Sequence, residues 1–168
     1  VGIGLIVIFT PYRLERILTF IEPEANSEGS NYHSNEAKIA IGSGGLWGVG
    51  YGNSKTKTSY LPAPIDDSIF AVTAEELGFI GSGSLLAILG ALTVRLFWIG
   101  KNLRDGFGKL LLSGFATVIG LQSAINIGAI SGVLPLTGVP LPFISYGGTS
   151  LAVFLTMSGI ALNASKYT

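Results

Sequence analysis

The chain has 168 residues, 48% of them hydrophobic and only 12% charged, with 24 glycines. That balance is too apolar and too glycine-rich for an ordinary soluble domain and places the chain among membrane proteins. With a formal net charge of zero nothing points to nucleic acid, the absence of cysteine excludes disulfides and thiolate metal sites, and the single histidine, His33, excludes any site needing two.

Residues Val1 to Phe9 are apolar but fall well short of the roughly 20 residues a helix needs to cross a hydrocarbon core. With no initiator Met or basic flank ahead of it, this run does not read as a signal peptide. Residues 1–11 are therefore expected to close a membrane helix, and the chain to be the C-terminal part of a longer protein. A large loop is expected over 12–68. In it, Arg13 and Arg16 stand three apart, on one face of any short helix. Glu22 to Asn35, with Pro23, Gly29 and several Ser and Asn residues, reads as solvated loop. Ile39 to Gly52 (IAIGSGGLWGVGYG) is apolar between its glycines and suits an interfacial or re-entrant segment better than a span. Its glycines imply close backbone approach, to another helix or to a ligand. Neither dinucleotide-binding nor P-loop spacing can be placed on them.

The stretch Tyr60 to Gly81 concentrates four of the ten acidic residues, Asp66, Asp67, Glu75 and Glu76. The aspartates precede Ile69 and Phe70, where a helix N-terminus accepts a carboxylate as cap and dipole partner. From Leu77 an uncharged run continues to Val94, so a membrane helix is expected over 69–97. Acidic groups at its mouth are costly to desolvate and invite a functional reading. Arg95, Lys101, Arg104 and Lys109 mark a basic loop, 98–109, which the positive-inside rule makes cytoplasmic and which puts the long acidic loop outside. Further membrane helices are expected over 110–134 and 144–165. Between them the prolines of PLTGVPLP cannot continue a helix, and 135–143 becomes a re-entrant outer loop. Gln122 and Asn126, four apart in mid-span, read as interhelical hydrogen-bonding groups or as the lining of a polar cavity. The fold class is thus all-α: a polytopic membrane helix bundle with a large extracytoplasmic loop and a re-entrant Pro/Gly-rich loop.

Four stretches, YRLERI with its following FIEP, IAIGSGGLWGVGYGNSKTKTSYLP, FAVTAEELGFIG and NIGAISGVLPLTGVPLPFISYGGTS, closely resemble the SEDS family of bacterial cell-wall proteins. The resemblance implies a multi-pass protein of the bacterial plasma membrane with its active-site loop outside. It implies a peptidoglycan glycosyltransferase that polymerises lipid II, in contact with membrane lipid and with a class B penicillin-binding protein as partner. A lipid-linked precursor transporter (flippase) or a non-catalytic scaffold of the cell-wall machinery is the alternative on the same fold. The family's pattern resembling Y-L-P-E-x-H-T-D-F-I-F-A-V sets Asp67 in the place of its essential aspartate. Ala63, Ile65, Asp66 and Ser68 depart from that pattern.

From its position alone Asp67 reads first as an N-cap; on this resemblance it is instead the catalytic base for the acceptor hydroxyl. Lys57 matches a family lysine and, with Arg13 and Arg16, is placed to hold diphosphate oxygens, against the alternative of solvated loop charges. Glu75 and Glu76 fit the family's A-E-E-L-G, with roles as orienting groups, ligands of a divalent cation shared with Asp67, or salt-bridge partners of Arg13 or Arg16. Ser145, Tyr146, Gly147 and Gly148 belong to a PFISYGG motif that either lines the substrate cavity or packs a helix start.

Overall fold

The computed structural model describes residues 30–54, 68–135 and 137–167. Among these every regular element is helical and none is a strand: α1 (Ser30–Ser43), α2 (Ile69–Asn102), α3 (Gly106–Ile130), α4 (Gly148–Ala164), then a short 3-10 turn, Ser165–Tyr167. Two helices, α2 and α3, are long and apolar enough to cross a membrane, and α4 is a shorter apolar helix of 17 residues. Large hydrophobic side chains such as Ile88, Val94, Leu121 and Leu155 stand exposed along these helices. A face of that kind suits lipid rather than water. The hydroxyls within the spans are satisfied locally: Thr93, Thr117 and Ser123 each donate to the carbonyl four residues back. Hydrocarbon offers no other partner for such groups.

Helix ends differ from the expected ones for identifiable reasons. The polar stretch read as loop to Asn35 is already helical from Ser30. Packing decides this: Ala37 and Ala40 are buried against Phe70, Ala71, Leu89, Ile130 and Leu141, and tertiary burial outweighs a loop-like composition. The basic segment read as a loop over 98–109 is mostly helix. Lys101 lies in the last turn of α2, where a cation suits the helix dipole. Asp105 caps α3, its carboxylate accepting from the Gly108 amide at 2.9 Å. Only residues 103–105 connect the two helices, so α2 and α3 run antiparallel.

Helix α3 stops at Ile130, before the expected 134, because Gly132 adopts φ +80° and the Val133 and Leu134 amides both turn back to the Gly128 carbonyl at 2.8 and 2.9 Å. Helix α4 starts at Gly148, after the expected 144, because Leu141 to Ser145 form a turn of their own. One core cluster joins Leu96 and Ile99 of α2 to Leu112 and Ile119 of α3 and Phe154 of α4. A second joins α1, the start of α2, the end of α3 and Leu141.

Candidate site at a spliced helix break

Helix α2 is interrupted at Gly78, whose φ of +68° and ψ of −167° lie in a region open essentially to glycine alone. In a continuous helix the amides of Phe79 and Ile80 would bond to the carbonyls of Glu75 and Glu76. Here they donate instead to the carbonyls of Gly45 and Leu46, at 2.9 and 3.3 Å. The vacated carbonyls of Glu75 and Glu76 accept from the amides of Val49 and Gly50, at 3.0 and 3.1 Å. The glycine-rich turn after α1 is thus spliced into the break, and each main-chain group at the cut has a partner. Only glycine permits so close an approach. A Cβ on Gly44 would run into the Ala74 carbonyl, one on Gly48 into the Glu76 carbonyl, and one on Gly78 into the Gly48 amide. Of the two approaches open to the glycine-rich segment in the sequence, the structure selects a helix.

The splice places two adjacent carboxylates inside the protein. Glu75 is 4% exposed and Glu76 6%. The Ser54 hydroxyl donates to Glu75 Oε2 at 2.5 Å. Glu76 Oε1 is fully enclosed and has no hydrogen-bond partner among the described residues. A buried carboxylate oxygen without a donor is costly, and such a group commonly serves an incoming ligand.

The connection from α3 to α4 is fastened by the two mid-span amides. Gln122 Nε2 donates to the Pro140 carbonyl at 3.0 Å and Asn126 Nδ2 to the Val139 carbonyl at 2.6 Å. Their partners belong to a loop rather than to another helix. Gln122 also borders a groove of about 300 Å³ between α3 and α4, with Ser150, Phe154 and Met157. Within the connection, Ser145 is buried: its hydroxyl accepts from the Leu141 amide at 2.7 Å, and its amide donates to the Leu141 carbonyl at 3.1 Å. Phe143 holds φ +67° in this turn, its ring 5.4 Å from that of Phe154. Tyr146 is 77% exposed. Gly147 caps α4 through its carbonyl, which accepts from Leu151, and Gly148 opens the helix.

Of the residues singled out in the sequence, Asp67, Lys57, Arg13 and Arg16 lie outside the described residues. Glu75 and Glu76 are brought together at the break, and Leu141 carries the proline-rich turn against Phe70 and Ala71 at the start of the same helix. Ser54 was not singled out, and no local signal marks it. Among the described residues no group of three or more His, Cys, Asp or Glu side chains comes together as a metal site.

The model of the FtsW/RodA/SpoVE family, described as a cell cycle protein, matches residues 1–168. The chain belongs to that family. Among curated relatives, it is 41% identical to stage V sporulation protein E of Bacillus subtilis, over 96% of this chain and 44% of that protein. It is 45% identical to a probable peptidoglycan glycosyltransferase FtsW of Coxiella burnetii, over 94% of this chain and 43% of the relative. Identity is 40% to the peptidoglycan glycosyltransferase MrdB of Escherichia coli, over 90% of this chain and 41% of MrdB. The chain thus spans less than half the length of these FtsW/RodA/SpoVE relatives. A solved structure described as "Structural coordination of polymerization and crosslinking by a peptidoglycan synthase complex" contains a similar chain. The TM-score is 0.69 at 32% identity, over 95% of this chain and 42% of that one.

Proposed function

We propose that this chain forms part of a peptidoglycan glycosyltransferase that polymerises lipid II into glycan strands at the outer face of the bacterial plasma membrane, with a class B penicillin-binding protein as partner. The observation that carries the reading is the 45% identity to a relative named for that activity. The buried Glu75–Glu76 pair, set into a membrane-length helix just beyond Asp67, supplies the chemistry's setting. The charges support the multi-pass topology with the acidic loop outside. Arg95, Lys101, Arg104, Lys109 and Lys166 gather at the end of the bundle where α2 and α4 finish and α3 begins.

In this reading Asp67 takes the proton of the acceptor sugar's hydroxyl as that oxygen attacks the anomeric carbon of the donor. The new C–O bond forms with inversion while the bond to the lipid diphosphate breaks, and the electron pair leaves on the diphosphate. Lys57, Arg13 and Arg16 stabilise that departing charge. Glu75, fixed by Ser54, and Glu76, with its free Oε1, bind and orient the substrate. Ser145 maintains the turn that carries Tyr146, Gly147 and Gly148 toward it. A divalent cation shared by Asp67 and Glu76 belongs to the same proposal: the enclosed Oε1 is a ligand atom of the right kind.

The test is polymerisation of labelled lipid II by the full-length protein with its penicillin-binding partner. Asp67→Asn is expected to abolish glycan product while the protein still inserts and folds. An active Asn variant removes Asp67 as base. Lipid II crossing a vesicle bilayer at a rate indifferent to Asp67, with no polymer formed, replaces this reading with transport.

A further inference from the structure

Six cations fall among the described residues, and five of them, Arg95, Lys101, Arg104, Lys109 and Lys166, lie at the end of the bundle where α2 meets α3. Lys38 alone lies at the other end, where α1 crosses the close of α3. Its position there is specific. A Cβ built on Gly132 would run into Lys38 Cε and stand 2.9 Å from Nζ, so the lysine stem lies directly over the bare backbone of that glycine. Gly132 is the left-handed residue that closes α3, and the seat exists because it has no side chain.

The ammonium held in this way is uncommitted. Lys38 is exposed, and among the described residues it has neither an ion pair nor a hydrogen bond. Glu36, the nearest carboxylate in sequence, is two positions away on α1 and so does not share its face. The described neighbours that do share it, Asn35, Ile41 and Gly42, carry no charge. The negative end of the α3 dipole favours keeping a cation at this point but uses none of its three N–H donors. The seat lies at the same end of the bundle as the start of α2, because Ala37 and Ala40 of the same helix pack against Phe70 and Ala71.

We propose that Lys38 is a phosphate-binding residue that holds the diphosphate of a lipid-linked substrate at the junction of α1 and α3. The inference rests on the glycosyltransferase reading for the identity of that lipid. A seated ammonium is a point charge with free donors, which suits a phosphate group at a membrane surface.

The test is equilibrium binding of undecaprenyl diphosphate to the full-length protein in phosphatidylcholine nanodiscs. Lys38→Gln keeps the stem and removes the charge, and is expected to raise Kd about tenfold, the size of one charge-assisted hydrogen bond. Lys38→Arg is expected to retain most of the affinity, and Arg104→Gln, at the far end, all of it. Gly132→Ala, which blocks the seat but leaves the lysine, is expected to weaken binding in the same direction. In lipid II turnover, Lys38→Gln is expected to raise KM more than it lowers kcat. Equal Kd for wild type and Lys38→Gln overturns the proposal. So does phosphatidylglycerol that displaces the probe from wild type as well as the diphosphate does, since the site is then one for phospholipid headgroups. Lys38-dependent binding alongside polymerisation indifferent to Asp67 upholds this site and removes the proposed catalytic role instead.

Discussion

Replacing Gly78 with Ala tests the splice directly. Four main-chain hydrogen bonds cross between the 45–50 turn and α2. If the variant keeps the break, alanine is forced to φ +68° and ψ −167°, at a cost of about 1–3 kcal/mol. Its Cβ also sits 2.7 Å from the Leu46 carbonyl oxygen, on top of the overlap with the Gly48 amide. If the helix straightens, Phe79 and Ile80 recover Glu75 and Glu76 as partners, and two of the four bonds are lost on balance, at about 1 kcal/mol each. Alanine's helix preference over glycine returns about 1 kcal/mol of that. Straightening therefore wins, with a net loss of only about 1 kcal/mol in global stability. The local effect is large, because the Val49 and Gly50 amides lose their acceptors. Hydrogen exchange on the detergent-solubilised full-length protein reads this out: both amides are protected in wild type and are expected to exchange freely in Gly78→Ala. Unchanged protection at Val49 and Gly50 would refute the argument that Gly78 holds the break open.

The loop anchors give a second prediction: Asn126→Ala and Gln122→Ala should each destabilise by about 1–3 kcal/mol, since the Val139 or Pro140 carbonyl loses its donor. Limited proteolysis within 133–140 should accelerate in both, and unchanged cleavage counts against the anchoring role. At Phe143, glycine should be tolerated better than alanine by about 1 kcal/mol, the reverse of the usual order, because φ is +67° and both variants lose the same ring. Thermal unfolding of the two variants decides the matter. Ser54→Ala should lower lipid II polymerisation by loosening Glu75 while changing stability by only about 1 kcal/mol. A Ser54→Thr variant that restores turnover supports a hydroxyl-dependent role, and an alanine variant with full activity removes it.

Much of the fold was legible because it is written in features that act locally. The apolar run after Leu77 and the prolines of 135–142 specify a span and a break from composition alone, and a helical fold follows. The limits of α2 and α3 were less legible. Lys101 and Lys109 read as loop charges, yet both lie in helix and only Arg104 sits in the connection, and Asp105 was needed as a cap rather than as one charge among several. At the site, the Glu75–Glu76 pair was visible from its place at a helix mouth, but its burial was not. The 45–50 turn lies against α2 at this pair, and its four bonds to α2 are main-chain and leave no trace in side-chain identity beyond the glycines. The partners of Gln122 and Asn126 were hidden for the same reason, since a carbonyl acceptor has no letter in the sequence. Asp67, Lys57, Arg13 and Arg16 lie outside the described residues and rest on the family pattern.

The spliced break makes one stretch of α2 depend on distant chain. A helix is ordinarily the most local of structures, each amide closing on a carbonyl one turn away. At Glu75 to Ile80 the pairing runs instead to Gly45 through Gly50, well upstream in the sequence. The same four groups of α2 have two complete solutions, one straight and one opened. The docked turn supplies the partners of the opened form, and Gly78 is the residue of α2 that lets the helix adopt it. Contacts of this kind carry a loop-closure cost that local ones avoid, so the opened form depends on the 45–50 turn being docked. Docking of the 45–50 turn onto α2 and the final shape of the carboxylate pair are therefore one event.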